Sequence, residues 1–208
     1  MVKVTAPALS LDASGTVADT LTFAKWKGRN YARQRVIPTN PKSASQTGVR
    51  AMFKFLAQQW TNLSSAEQDD YDDAAESKQI SPFNQYMSVN MDRWQLSEGP
   101  SKNYPAEESA TPLTVSDQTL TGAAGYAQVD VTPSGATAIW GIMICRDTAE
   151  ITAPSWANCI AVVEADGANE VSYVDSPLDA DTYHYRSAIL TDDGQIGTFV
   201  ADDTAVVT

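Results

Sequence analysis

Apolar and polar positions alternate between residues 20 and 37. Residues 20–26 carry leucine and phenylalanine between threonines, and residues 31–37 set Tyr31, Arg33 and Arg35 on one face and the intervening residues on the other. A period of two is typical of half-buried strands. The segment 27–30 between them contains glycine and asparagine, which tolerate the positive φ of a tight reversal. The pattern therefore predicts a β-hairpin.

Three helices are expected after the hairpin, each preceded by a start signal. The first begins either at Asn40, an N-cap residue followed by proline, or at Ser43, which can form a capping box with the glutamine three residues later. Ser64 and Glu67 form a second capping box, ahead of a helix that extends to about residue 78. Ser81 precedes a proline at the start of the third helix. The connections are short, which favours a three-helix bundle.

The apolar stripes of these helices are expected to form the core of the bundle. Their members repeat at intervals of three and four residues and so share one helix face. Burial of one large side chain contributes roughly 1.5–3 kcal/mol. The side chains expected inside are Val49, Met52, Phe53, Leu56 and Trp60 in the first helix, Tyr71, Ala74 and Ala75 in the second, and Phe83, Tyr86, Met87, Asn90, Met91 and Trp94 in the third.

From residue 113 onwards the pattern changes to short runs rich in valine, isoleucine, threonine and tyrosine. Turn pairs separate them, such as Ser134-Gly135, Asp166-Gly167 and Asp193-Gly194. About seven runs at this spacing predict an antiparallel β-sandwich of immunoglobulin type. The expected strands cover residues 113–120, 126–132, 136–146, 159–163, 170–174, 182–190 and 195–207.

Residues 99–112 separate the two patterns, because they hold three prolines and no periodicity. We therefore expect an α+β protein of two domains. Residues 1–98 form the β-hairpin and three-helix domain, residues 99–112 the linker, and residues 113–208 the sandwich. The longest apolar run, at 138–145, is too short to cross a bilayer, so no membrane contact is expected.

Positive charge is concentrated at the start of an acidic chain. Residues 1–50 carry eight lysines and arginines against two aspartates, a net charge of +6, whereas the whole chain has a net charge of -12. A basic segment on an acidic protein is expected to dock on an acidic surface. Guanidinium groups pair bidentately with carboxylates or phosphates, and aromatic residues with arginine dominate interface energies. The expected anchors are Trp26, Arg29, Tyr31, Arg33 and Arg35.

The alternative to docking is that this face of the hairpin contacts only solvent. A hairpin with an open edge can also add to the sheet of another chain. Both alternatives stay open at the level of sequence.

No pattern for catalysis, a metal or a cofactor accompanies these anchors. His184 is the single histidine and has no nucleophile motif beside it. Cys145 and Cys159 are expected to be buried or half-buried small side chains and not a disulfide framework. The aspartate pairs at 192–193 and 202–203 lack the spacing of a calcium loop and are expected to cap backbone amides. We therefore expect no enzyme activity.

Residues 113–208 resemble fibronectin type III and related immunoglobulin-like domains. Trp140 falls where these folds have the core tryptophan of the third strand. Leu178, Thr182, Tyr183 and Tyr185 resemble the segment that leads into the sixth strand of these folds. Counted from Leu178, the corner tyrosine of the family falls nearest His184, so either the turn is one residue shorter or the corner bond is missing. The resemblance implies adhesion, spacing or display roles.

Residues 15–46 resemble uncharacterised proteins encoded by tailed bacteriophages and prophages, which are generally found among virion structural genes. The positions that carry the resemblance are Phe23, Trp26, Lys27, Gly28, Tyr31, Arg33, Val36, Pro38, Asn40, Pro41 and Gln46. The resemblance implies a virion component, and it supplies neither an enzyme activity nor assigned binding residues.

Residues 60–75 resemble the second-helix region of the HMG box, a three-helix module that bends DNA. The matching positions are Trp60, Leu63, Ser64, Glu67, Tyr71 and Ala75. That module depends on lysines beside these positions and on a wedge into the minor groove. The expected helix instead carries four aspartates between residues 69 and 73, which phosphates repel. Nucleic acid is therefore not the expected partner.

Together with these patterns, the resemblance to phage and prophage proteins implies a non-enzymatic structural protein of a bacteriophage virion, in the capsid, neck or tail, assembled in the host cytoplasm. Its N-terminal domain is expected to dock on other virion proteins in many copies, as a homo-oligomer or symmetric array, and to display the immunoglobulin-like domain. One alternative is a nucleic-acid-binding accessory protein that uses the basic hairpin. Another is a carbohydrate-binding adhesin that binds a host-surface glycan through the β-domain.

Overall fold

The computed structural model describes residues 2–3, 15–17, 20–37, 43–107, 113–135, 138–165 and 167–208. The chain divides into two compact units, Met1–Pro41 and Lys42–Thr208. The first holds one antiparallel sheet, and the second holds three α-helices and two further antiparallel sheets. The protein is therefore of the α+β class, as expected. Asn40, Pro41 and Asp166, which the expected helix start and one turn used, lie outside the described residues.

The first unit is a four-stranded sheet whose strands lie in the order β1-β4-β3-β2. The strands are β1 (Val2–Lys3), β2 (Gly15–Val17), β3 (Leu21–Trp26) and β4 (Arg29–Gln34). β3 and β4 form the predicted hairpin, with Trp26 opposite Arg29. Its turn is two residues long, because only Lys27 and Gly28 connect the strands, with φ of 48° and 76°. Positive φ at both positions is typical of a type I′ turn, whose twist matches that of the paired strands.

Seven strands of the second unit form a β-sandwich of two sheets. Their order is β5-β6-β9 in one sheet and β11-β10-β7-β8 in the other. The strands are β5 (Val115–Ala123), β6 (Tyr126–Pro133), β7 (Ile139–Asp147), β8 (Cys159–Glu164), β9 (Val171–Asp175), β10 (Asp181–Thr191) and β11 (Asp203–Val207). The last strand is shorter than the expected 195–207, because residues 196 and 198 make only isolated bridges, to Leu190 and Thr114.

Tyr183 makes the corner bond at the entry to β10. Its hydroxyl donates to the carbonyl oxygen of Asp179 at 3.2 Å, and its side chain is 8% exposed. This bond comes from the residue before His184, which is the position nearest to the corner tyrosine in the count from Leu178. The bond ties the loop before β10 to the sandwich core, where Tyr183 and Tyr185 pack on Val129 and Ile144.

The three helices are α1 (Ala44–Gln59), α2 (Ser65–Glu76) and α3 (Pro82–Gln95), with a 3₁₀ turn, Trp60–Asn62, after α1. The capping box of α2 is confirmed, since the Glu67 amide donates to Ser64 Oγ at 3.3 Å and the Ser64 amide donates to Glu67 Oε2 at 2.6 Å. Ser81 caps α3. α1 begins directly after Ser43, but the Ser43 side chain makes no capping bond, so the predicted box with Gln46 is wrong. Among the described residues, no helix is long and apolar enough to cross a bilayer.

α1 buries Met52 and Leu56 as expected, but its buried face is shifted from the predicted stripe at Phe53. Phe53 is 52% exposed, whereas Phe55 is 2% exposed and contacts Trp140 edge to face, with 5.2 Å between ring centroids. α1 packs against both α3 and β8, so its buried surface covers two neighbours and not one bundle seam. The placement of Phe53 in the core is therefore wrong.

Trp140 does not lie between the two sheets of the sandwich. It packs against Phe55, and its Nε1 donates to Oε1 of Gln59 at 3.1 Å. Ile142 and Ile144 fill the sandwich interior, whereas Met143 and Cys145 share a core with the helices. The expected role of Trp140 as the tryptophan of the sandwich core is wrong, because the register shift between Gly141 and Ile139 turns Trp140 to the outer face of β7, which the helices cover.

Residues 99–103 are buried or half-buried and do not form a free linker. Gly99, Pro100 and Ser101 are buried, and Ser101 pairs with Asp193 in the loop after β10. Arg93 of α3 donates both to the carbonyl oxygen of Gly99 and to that of Gly194, each at 2.8 Å. The division of the chain by contacts therefore falls between residues 41 and 42 and not at 99–112. Residues 108–112 lie outside the described part of the chain.

Asn90 of α3 fixes this segment from inside the core. Its Oδ1 accepts from the Ser101 amide at 2.7 Å, and its Nδ2 donates to the Ser101 carbonyl oxygen at 3.1 Å. The hydroxyl of Tyr71 also donates to that carbonyl oxygen, at 2.9 Å. Because a buried amide is costly unless it is paired, these bonds explain how an asparagine occupies a core position.

Candidate functional site

The five expected anchors lie on one face of the N-terminal sheet. Across β3 and β4, Trp26 pairs with Arg29, Ala24 with Tyr31 and Thr22 with Arg33. The Arg35 amide donates to the Thr20 carbonyl oxygen at 2.8 Å, which continues the same register by one pair. Alternate residues of a strand share a face. We call the surface formed by Trp26, Arg29, Tyr31, Arg33 and Arg35 the cationic face.

The cationic face is open to solvent within its unit. Trp26 is 66% exposed, the three arginines are exposed, and Tyr31 is half-buried. The ammonium group of Lys27 lies 4.8 Å from the centroid of the Trp26 ring, so one more cation borders the indole. An indole with one guanidinium group opposite it and further arginines on the same face offers both apolar area and bidentate donors to a partner.

All charges between residues 20 and 37 have the same sign, since this segment contains five lysines and arginines and no aspartate or glutamate. Residues two apart on a strand are separated by roughly 6.8 Å. Two unit charges at that distance repel by about 0.6 kcal/mol in water before salt screening. An anionic partner would relieve this repulsion, whereas another cationic surface would increase it.

The opposite face of the sheet is more apolar and less exposed. It carries Phe23, which is half-buried, and Ala32, which is 9% exposed. Lys25 also belongs to this face, because it pairs with Asn30. The register therefore places Lys25 on the opposite side of the sheet from Arg33.

His184 is held by an aspartate and not by a nucleophile. Its Nδ1 lies 2.5 Å from Oδ2 of Asp202, and the other carboxylate oxygen of Asp202 accepts from the Ile151 amide at 3.2 Å. Asp203 accepts from the Thr204 amide at 2.8 Å, so both aspartates bind backbone amides as expected. No group of three histidine, cysteine, aspartate or glutamate side chains in the described ranges could hold a metal ion.

A cleft of about 200 Å³ lies beside the first turn of α1 and is lined in part by Arg146, Asp147 and Asn158. The Arg146 guanidinium donates to Oδ2 of Asp175 at 2.6 Å. The Asn158 amide donates to the Asp147 carboxylate at 2.9 Å. These polar groups are used by the fold, so the cleft offers a ligand few unpaired charges.

The aspartates of α2 point away from the core. Asp69, Asp70, Asp72 and Asp73 are all exposed, and α2 has no basic residue in its last turn. This surface would meet duplex DNA with charge of the same sign, which disfavours an HMG-type mode of binding.

The two cysteines are buried thiols on neighbouring strands. Cys145 of β7 lies opposite Cys159 of β8, each is 0% exposed, and both are free. Burial raises the pKa of the Cys145 thiol to about 12 and the pKa of the Cys159 thiol well above its ordinary value. The prediction of buried small side chains is confirmed.

Neither thiol is expected to react with a maleimide in the folded protein at about pH 8, because the thiolate is the reactive species and solvent does not reach either sulfur. Intact mass after labelling should therefore show no adduct under native conditions and two adducts in denaturant. Rapid labelling of the native protein would contradict the packing of α1 over β7 and β8.

The sequence matches no protein-family model and no curated protein. Among solved structures, the chain is similar to a lytic polysaccharide monooxygenase from Jonesia denitrificans, with 8% identity over 43% of this chain and a TM-score of 0.32. The chain spans 58% of the length of that monooxygenase. It is also similar to a superoxide reductase (neelaredoxin) from Ignicoccus hospitalis, with 12% identity over 50% of this chain and 90% of that chain and a TM-score of 0.29. TM-scores this low support no inference about family or function.

Proposed function

We propose that the chain is a non-enzymatic structural protein of a tailed-bacteriophage virion that docks through the cationic face and displays an immunoglobulin-type sandwich. The observation that carries this proposal is the cationic face itself, where an exposed tryptophan and three arginines share one side of a small sheet. The strand order of the sandwich and the Tyr183 corner bond support the immunoglobulin type.

The preferred partner of the cationic face is an acidic protein surface on the particle. Carboxylates accept two parallel bonds from a guanidinium group, and burial of a tryptophan adds a large apolar area. Single contacts of this kind are sufficient when many copies bind a repetitive array.

Nucleic acid is the weaker candidate because of the rest of the chain. Residues 1–41 carry a net charge of +4 and residues 42–208 carry -16. Duplex DNA has one charge about every 1.7 Å along its axis, which would repel the acidic unit strongly. A protein surface of moderate negative charge repels it less.

The test is the copy number of the chain in purified particles from the phage that encodes it, measured by quantitative mass spectrometry. Wild-type chain is expected in many stoichiometric copies. Replacing Arg33 and Arg35 together by alanine is expected to lower incorporation by about tenfold or more, since interface arginines commonly contribute above 1 kcal/mol each.

The matched control is Lys25→Ala, which removes one positive charge from the same hairpin but on the opposite face. It is expected to leave incorporation within about twofold, because a residue outside the contact contributes little. Absence of the chain from particles would refute the proposal. So would salt-dependent retention of duplex DNA that the Arg33→Ala plus Arg35→Ala variant abolishes, since that result assigns the face to nucleic acid.

A further inference from the structure

β8 ends the four-stranded sheet, and within the described residues its outer edge has no partner strand. The Ala165 amide donates to the Trp140 carbonyl oxygen at 3.3 Å, on the side of β7. Because bonding direction alternates along an antiparallel strand, the backbone groups of Val163 also face β7. Those of Val162 and Glu164 consequently point away from it. The edge thus presents a regular set of backbone donors and acceptors.

Only one end of this edge is protected from pairing with a further strand. Ile160 has no partner in the pairing of β7 with β8, since Ile144 lies opposite Ala161 and Cys145 opposite Cys159. A bulge of this kind bends an edge away from other strands. Beyond it, residues 161–164 are regular and contain neither proline nor lysine, which are common means of blocking an edge.

A cleft of about 360 Å³ runs along the regular part of the edge, between α1 and Tyr173 of β9. α1 and β8 run in the same direction beside it. A Cβ added to Gly48 would approach the Cys159 carbonyl oxygen to 3.4 Å, and one added to Gly141 would lie 3.0 Å from both Phe55 and the Val163 carbonyl oxygen. Lys54, which lines the cleft, therefore lies level with the second half of β8.

We propose that a second copy of the chain adds its β8 antiparallel to this edge, about a two-fold axis at Val163. In this register Val162 pairs with Glu164 of the second copy, and Glu164 pairs with Val162 of the second copy. All outward backbone groups of these two residues then find partners. The proposal does not depend on the cationic face.

Charge complementarity is the reason to favour a second copy over an unrelated strand. Lys54 lies level with the residues that pair with Glu164 of the second copy, so the two-fold axis forms the same ion pair twice. An isologous interface requires this kind of self-complementarity. Lys54 and Glu164 line the same cleft, so a two-fold axis at this edge brings each of them to the other in the second copy, whereas a strand of another protein satisfies only the backbone groups.

The test is sedimentation equilibrium of the full chain over a concentration series, where a reversible dimer is expected. Val162→Pro removes an outward amide and leaves the bonds of β8 to β7 in place. It should weaken the dimer by more than about tenfold while circular dichroism keeps the folded spectrum. Val162→Ile, which keeps the amide, is the matched control and should leave the dimer intact.

Exchanging the charges tests the register. Lys54→Glu and Glu164→Lys should each weaken the dimer by about tenfold, because each turns both ion pairs into repulsive contacts. The double variant should restore the affinity to within about threefold of wild type. A chain that stays monomeric, a dimer that Val162→Pro does not weaken, or a double variant without recovery would each overturn the proposal. The Arg33→Ala plus Arg35→Ala variant should still dimerise, so failure of either proposal leaves the other standing.

Discussion

Gly48→Ala is expected to lower the free energy of unfolding by about 3 kcal/mol, the upper part of the usual range for overpacking. The same change inside an isolated helix would stabilise it by roughly 1 kcal/mol. The sign is reversed because a Cβ at position 48 would lie 2.0 Å from the Trp156 carbonyl oxygen and 3.1 Å from its carbonyl carbon. These are backbone atoms ahead of β8, so relief requires α1 to move off the sheet.

Urea unfolding followed by tryptophan fluorescence measures this effect. Ser45→Ala is the matched control, since it changes an exposed residue of the same helix and should stay within about 0.5 kcal/mol of wild type. A Gly48→Ala variant that is as stable as wild type would mean that α1 does not rest on the backbone at Trp156.

Asp175→Ala is expected to cost about 3 kcal/mol, because it removes the shared acceptor of a buried phenol and a partly buried guanidinium group. Asp175 is 7% exposed, and its Oδ2 accepts from the Arg146 guanidinium at 2.6 Å and from the Tyr185 hydroxyl at 2.9 Å. Burial and the Asp175 carboxylate raise the pKa of Tyr185, so the phenol remains a donor at neutral and moderately alkaline pH. Without the carboxylate, the Tyr185 hydroxyl loses its acceptor inside the sandwich, and the partly exposed Arg146 loses its ion pair.

Conservative variants separate the parts of this network. Tyr185→Phe should cost about 1 kcal/mol, the usual net value of one hydrogen bond. Arg146→Ala combined with Asp175→Ala should cost less than the sum of the single changes, since the pair is coupled. Strict additivity in chemical denaturation would mean that the Arg146 contact contributes nothing to stability.

The hairpin could be predicted from the sequence, and alternation in residues 31–37 indicated that Tyr31, Arg33 and Arg35 share a face. The expected reversal at 27–30 was two residues too long, because only Lys27 and Gly28 connect the strands and Arg29 already pairs with Trp26. The β8 edge had no comparable signal. Residues 159–163 could be identified as a strand, but which strand ends a sheet depends on the order of all seven.

The placement of Phe53, Phe55 and Trp140 illustrates the same limit. Residues 139–145 are an almost unbroken apolar run, which is typical of a strand covered on both faces. That run was the one signal that another layer lies over β7, but it does not say which element supplies the layer. In the structure α1 supplies it through Phe55, and Phe53 is left largely exposed.

Turns, caps and strand alternation depend on a few neighbouring residues, so Gly28, Ser64 and the repeating apolar positions were enough to specify the local elements. The folded chain alone decided that the helices share a core with the sandwich and that Ser101 is held by Asn90. Such contacts join residues distant in sequence, and their free energy is gained only when whole faces fit together.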